Sequence, residues 1–152
     1  TVGSNIMKLK QHAADLGVSD IFGADKIVTS AFAATQPGGK LENEFTKINQ
    51  LASALPKYKA YAPLFSQGFT LRDLATPVNN IINKEYGTSN EVDLNNPLLI
   101  HALTGGANGT QMNDQQIAQL VRSQPDWAKS SVAKEEAASY VNQIGKMMGF
   151  IA

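Results

Sequence analysis

Apolar residues recur in this chain at steps of three and four almost from end to end, a period that admits helices and excludes extended sheets. The clearest run is Leu41, Phe45, Ile48, Leu51 with Ala52, and Leu55, which traces one narrow stripe. No alternating stretch runs longer than four residues, and no segment repeats another. The expectation is an all-α domain of about seven or eight short to medium helices.

The punctuation between the apolar runs sets the helix ends. Ser4 is the expected cap of a first helix carrying Ile6, Leu9, Ala13 and Leu16, with Gly17 as its terminator. Residues 19–34 read as a second helical region broken at Gly23, with Ile21, Ala24, Val28, Ala31 and Phe32 as its apolar set. Pro37, Gly38 and Gly39 in "TQPGGK" oppose helix continuation, which marks a boundary between an N-terminal subregion, 1–36, and a larger helical module, 37–152. Thr70 with Asp73 and Asn113 with Gln116 form capping-box patterns. Pro77 interrupts the helix that Thr70 opens and predicts a kink or restart at Thr76. Asn96 before Pro97 signals a short apolar helix. Pro125 stops its successor, and Ser130 or Ser131 caps the last. That final helix is expected to turn Val132, Ala133, Ala137, Tyr140, Val141, Ile144 and Met148 inward and to end at Gly149.

Charge argues against several functions. Thirteen basic residues balance thirteen acidic ones, and charged residues make up 17% of the chain. No basic stripe is present to release counterions from a nucleic acid. The chain has no cysteine, so thiolate catalysis, thiolate metal sites and disulfides are excluded. No apolar run approaches the length that crosses a bilayer. A chain of 152 residues buries a substantial core, on the order of two-thirds of its unfolded surface. Thr1 in place of methionine leads to the expectation of a processed product or a piece of a longer protein.

A search for chemistry finds none, so no catalytic residue, cofactor or metal site is expected. His101 has no second ligand three or four residues away and, on an apolar helix, is expected to be packed; His12 has Asp15 three residues on, a single acid that makes no metal set by itself. Placing Gly109 at the sixth position of a calcium loop puts Thr104, Gly106 and Asn108 at ligand positions and Gln115 last, with no acid among them. Glu42 and Glu44, and likewise Glu135 and Glu136, fall near helix starts and are expected to serve the helix dipole on solvated faces. Trp127, the single tryptophan, is expected to fold back as a plug between the helices on either side of it, with an exposed partner anchor as the alternative.

From about Leu55 to Phe150 the order of elements resembles a domain of structural proteins of tailed bacteriophages, especially those of actinobacterial hosts. The matching elements are "YAPLFSQGFTLRD" from Tyr61 to Asp73, a proline-interrupted helix and "EVDLNNPLL" at 91–99. They continue with a glycine-bearing loop, Val121 and Arg122 ahead of Pro125, Asp126 and Trp127, and a closing helix ending at Gly149 and Phe150. Asn96 departs from the usual acid of that pattern, Ser130 or Ser131 replaces a threonine, and residues 1–40 have no counterpart. The resemblance implies a non-enzymatic virion domain from a tape-measure-like tail protein or an internal protein delivered with the DNA. The alternatives are a domain accompanying a peptidoglycan hydrolase, with Glu85 or Glu91 as general acid, and a non-viral helical adaptor. The partners it implies are other virion proteins and further copies of the chain, arranged in a ring or along the tail axis.

Three apolar stripes exceed what one small core is expected to absorb: Leu41 to Leu55; Tyr58, Tyr61, Leu64 and Phe65; and Ile144, Met147, Met148, Phe150 and Ile151. From these, Phe45, Ile48, Tyr58, Tyr61, Phe65, Met147, Met148 and Phe150, together with Trp127, are the expected interaction residues.

Overall fold

The computed structural model describes residues 1–149. Eight α-helices follow one another: α1 (Val2–Asp15), α2 (Ala24–Ala33), α3 (Leu41–Ser53), α4 (Ala62–Ser66), α5 (Leu71–Tyr86), α6 (Pro97–Thr104), α7 (Asp114–Arg122) and α8 (Ser131–Met147). Short 3-10 turns occupy Pro56–Tyr61, Ala107–Gly109 and Trp127–Lys129, and no strand occurs among the described residues. The chain is an all-α multi-helix domain, as its periodicity requires.

Most ends fall where the capping residues place them. Both capping boxes form: the Thr70 hydroxyl accepts from the Asp73 amide while the Asp73 carboxylate accepts from the Thr70 amide, and Asn113 and Gln116 do the same. Asn96 caps α6 with Pro97 in its first turn, and Ser130 caps α8. The first helix differs. Its cap is Thr1, whose hydroxyl accepts from the Ser4 amide at 3.2 Å, so Ser4 lies inside α1. Gly23 sits at the cap position of α2, where the second region breaks. Pro77 causes no restart, and α5 runs unbroken around it. A proline here removes one backbone hydrogen bond, but the packed face of Leu71, Ala75, Val78, Asn79 and Ile82 holds the helix on both sides of the gap.

Helix α5 is the strut of the molecule. It packs against α1 near its start, against α6 and α7 along its length, and against α8 at its end. One continuous core joins residues from either side of the "TQPGGK" loop, including Leu9, Leu16, Ile48, Phe65, Val78 and Ile117. Arg72 ties the start of α5 to the end of α1, donating from Nε to Asp15 at 2.8 Å and from a terminal nitrogen to the Val92 carbonyl at 3.3 Å. The Tyr61 hydroxyl donates to the Leu103 carbonyl, satisfying one of the acceptors left free at the end of α6. Burial raises the pKa of Tyr61 above its ordinary value, with Tyr58 beside it adding to the effect.

Two inward assignments are corrected by the packing. On α2 the buried side chains are Ile27, Ser30 and Ala31, whereas Val28 and Phe32 are exposed. The helix is rotated relative to the expected face because its partners, α1 and α3, lie on the Ile27 side. On α8 the buried residues are Ala133, at the foot, and Gly145. Ala133 is buried and Val132 half-buried, but Tyr140, Val141, Ile144 and Met148 face solvent.

Candidate functional site

The foot of α8 is a joint built from three helices. Gly87 ends α5 in the left-handed region, at φ 73°, and lets the chain turn beneath α8. A Cβ at this position would stand 2.2 Å from the Ser131 hydroxyl and 3.1 Å from Val132 Cγ2, so a side chain here would displace Ser131 as well as strain the backbone. Beside it, Arg122 at the end of α7 grips two carboxylates. Its Nε donates to Glu85 at 3.2 Å, and its two terminal nitrogens donate to the two oxygens of Glu136 at 3.1 and 2.7 Å. These hydrogen bonds, first to Glu136 and then to Glu85, push the guanidinium pKa up.

Trp127 completes the joint. Its ring is half-buried against the core, its Nε1 donates to the Glu85 carbonyl at 2.9 Å, and the Arg122 guanidinium lies 4.9 Å from its ring centroid. The tryptophan therefore plugs the junction of α5, α7 and α8. Close by, the Tyr86 hydroxyl donates to Asp126 at 2.7 Å. Partial burial, followed by that hydrogen bond and the carboxylate charge, holds the Tyr86 pKa up at about 12.

Beyond this joint α8 leaves the body. From Ala137 to Gly149 every position except Gly145 is exposed. The apolar face that begins at Ala133 continues outward through Ala137, Tyr140, Val141, Ile144, Met147 and Met148, with nothing among the described residues covering it. Tyr140 and Val141 are each 65% exposed and Met147 is 86% exposed. This uncovered face is the candidate site. A second, smaller apolar feature is a groove of about 270 Å³ between α1 and α2, lined by Ile6, Phe22, Ala24, Ile27 and Val28.

The other expected interaction residues are placed differently. Ile48, Tyr58, Tyr61 and Phe65 are buried in the chain's own core, and Phe45 is half-buried with its ring centroid 4.6 Å from that of His12. A side chain closed inside the core cannot meet a partner without the fold opening, so the first two stripes serve cohesion. Of the third, Met147 and Met148 are exposed, while Phe150 and Ile151 lie outside the described residues.

Several of the polar groups that could serve chemistry have structural partners. His12 Nε2 lies 2.7 Å from Asn49 Oδ1. His101 is exposed, not packed, because the buried face of α6 is Leu99, Ala102 and Leu103. Glu44 is buried, not solvated, and pairs with Lys47 at 2.9 Å. Glu136 grips Arg122 in place of the expected dipole role. Of the two acids considered for a hydrolase, Glu85 is engaged by Arg122 and Glu91 is exposed on a loop. An open cleft of about 800 Å³ runs past Asn79, Asn83 and Asn90, but the Asn79 and Asn83 amides both donate to the Asn90 carbonyl and pin the loop. Among the described residues no three His, Asp or Glu side chains cluster as metal ligands, and no helix is long and apolar enough to cross a membrane.

Sequence reasoning missed the hub role of Arg122. Its partners lie 37 and 14 residues away, a separation that helical periodicity does not report. The available signal was indirect: Arg122 is an exposed cation at the end of α7, ahead of a tryptophan, and glutamates stand near the end of α5 and near the start of α8. Comparison with protein-family models, with curated proteins and with solved structures finds no match for the chain.

Proposed function

We propose that this chain is a non-enzymatic assembly domain of a tailed-phage virion, belonging to a tape-measure-like tail protein or to an internal protein delivered with the DNA. The observation that carries the assembly reading is the uncovered apolar face of α8, held out from the body by the Arg122–Glu85–Glu136 network and the Trp127 plug. A helix anchored rigidly at one end with an apolar stripe at the other is a contact element.

The virion context rests on the ordered likeness described above, and the residues carrying that likeness are joint-formers in the fold. "FTLRD" supplies the α5 capping box and the Arg72 tie to α1. "DLNNP" supplies the cap and first turn of α6. Val121, Arg122 and Trp127 supply the joint beneath α8. A motif that specifies how helices meet suits a scaffold, whereas a catalytic motif would specify reactive groups. The partners are other virion proteins or further copies of the chain.

Mass spectrometry and imaging of purified particles test the proposal. Peptides of this chain at a defined position in the tail or neck, or inside the head, are expected. Their absence from particles would overturn the virion reading in favour of a non-viral adaptor. Clearing of cell-wall substrate by the purified domain, lost on Glu85→Gln, would overturn the non-enzymatic reading.

A further inference from the structure

Two buried tyrosines share the Pro56–Tyr61 turn, and the fold uses the hydroxyl of only one. Tyr61 donates to the Leu103 carbonyl. Tyr58 is 3% exposed, yet its hydroxyl meets no donor or acceptor among the described residues. A buried hydroxyl without a partner costs stability, and phenylalanine would fill the same space without that cost. Among the described residues no side-chain nitrogen or oxygen sealed from solvent lacks a partner, so the Tyr58 hydroxyl keeps an opening. The cavity that its side chain lines supplies it.

That cavity measures about 770 Å³, within the range of small-molecule sites, and no residue of α8 lines it. It lies between the end of α1, the Pro56–Tyr61 turn, the start of α5, the 92–95 loop and α6. Its apolar walls are Leu55, Leu71, Val92, Leu94 and Ile100, and all but Leu71 are only half-buried. We infer that this cavity binds an uncharged, mainly apolar small molecule, with the Tyr58 hydroxyl donating to a carbonyl or ether oxygen on it. The site is separate from the α8 face and does not depend on the assembly reading.

The charges around the cavity decide against an ionic ligand. Two bases, Lys57 and Arg72, balance two acids, Asp20 and Asp93. Arg72 is held by Asp15 and by the Val92 carbonyl, Lys57 stands 5.3 Å from the Tyr58 ring centroid, and Asp93 accepts from the Asn95 amide. An ion entering here would lose water and find no net charge of opposite sign. An apolar body instead gains from covering the half-buried aliphatic walls. Burial raises the pKa of Tyr58 above its ordinary value, so at neutral pH the hydroxyl keeps its proton and donates.

The test titrates the isotope-labelled full chain with three probes that share a cyclohexane body: cyclohexanone, cyclohexylammonium and cyclohexanecarboxylate. Cyclohexanone is expected to bind tightest, with saturable amide shifts in NMR spectra confined to the cavity rim at Ser19, Ile21, Leu94 and Asn95. Tyr58→Phe should leave circular dichroism and the urea midpoint unchanged and weaken cyclohexanone binding roughly three- to tenfold, the share of one neutral hydrogen bond. Shifts that never saturate, or equal affinity in the phenylalanine variant, would overturn the site. Tighter binding of either charged probe would overturn the ligand class. A urea midpoint lowered as far in Tyr58→Phe as in Tyr61→Phe would show that the hydroxyl serves the fold through a held water, and the inference would fall.

Discussion

Replacing Trp127 with alanine removes three contributions that the structure separates. The ring is half-buried, so about half of the usual 3–5 kcal/mol for emptying a large aromatic core site applies, roughly 1.5–2.5 kcal/mol. The indole N–H to Glu85 carbonyl bond, at 2.9 Å, adds about 0.5–1 kcal/mol, because the freed carbonyl sits near a helix end that water can reach. The Arg122 guanidinium, 4.9 Å from the ring centroid, is exposed and screened by water, so its loss adds little. The expected loss is about 2–3.5 kcal/mol, a large part of the stability of a domain this size. Urea unfolding followed by circular dichroism measures it, since the variant lacks the only tryptophan for fluorescence. Trp127→Phe, which keeps much of the packing and loses the hydrogen bond, should retain more than half of the difference. An unchanged urea midpoint for the alanine variant would show that the ring does not hold the joint, and the reasoning about a rigidly anchored α8 would fail with it.

Tyr61→Phe removes the donor that satisfies the Leu103 carbonyl and should cost about 1–2 kcal/mol in urea unfolding with little change in helix content. Gly87→Ala meets both the left-handed φ of 73° and the Ser131 hydroxyl, and should cost about 2 kcal/mol or more, visible as a lower thermal midpoint. The Tyr86 phenol stays protonated to about 12 in the fold but ionises near 10 when unfolded, so the folded state binds the extra proton between these values. Stability should be flat below about pH 10 and fall as pH rises toward 12, a fall that Tyr86→Phe should reduce in denaturation curves taken across that range.

Much of the fold could be read from the sequence because its signals are local. A cap such as Thr70, Asn96 or Asn113 acts on an amide two or three residues away, and the glycines at Gly17, Gly87 and Gly149 each take a positive φ where a helix stops. What could not be read depends on contacts between distant residues. Thr1 took the cap from Ser4 because both are competent caps, and the chain gained another turn by starting earlier. Pro77 stayed inside α5 because the helices packed on it outweigh one lost hydrogen bond. His101 and Phe32 face outward although their neighbours are apolar, since which arc of a helix is buried depends on where its partners lie.

The last helix shows why the candidate site was the hardest part to read. A stripe at three- and four-residue steps looks the same whether it closes a core or waits for another chain. The stripes at Ile48 and Phe65 and the stripe at Ile144 carry comparable apolar residues, yet the first two are buried or half-buried and the third is exposed. The difference lies in reach. The helices α3 and α4 are followed by a turn that returns the chain to α5, whereas α8 runs 17 residues from a foot fixed at Arg122 and Trp127. At about 1.5 Å per residue it extends roughly 25 Å, and its side-chain hydrogen bonds to the rest of the domain lie at the foot, at Ser131 and Glu136. Among the described residues, then, nothing of the chain's own body covers Tyr140, Val141, Ile144, Met147 and Met148, and this apolar face is left open to another molecule.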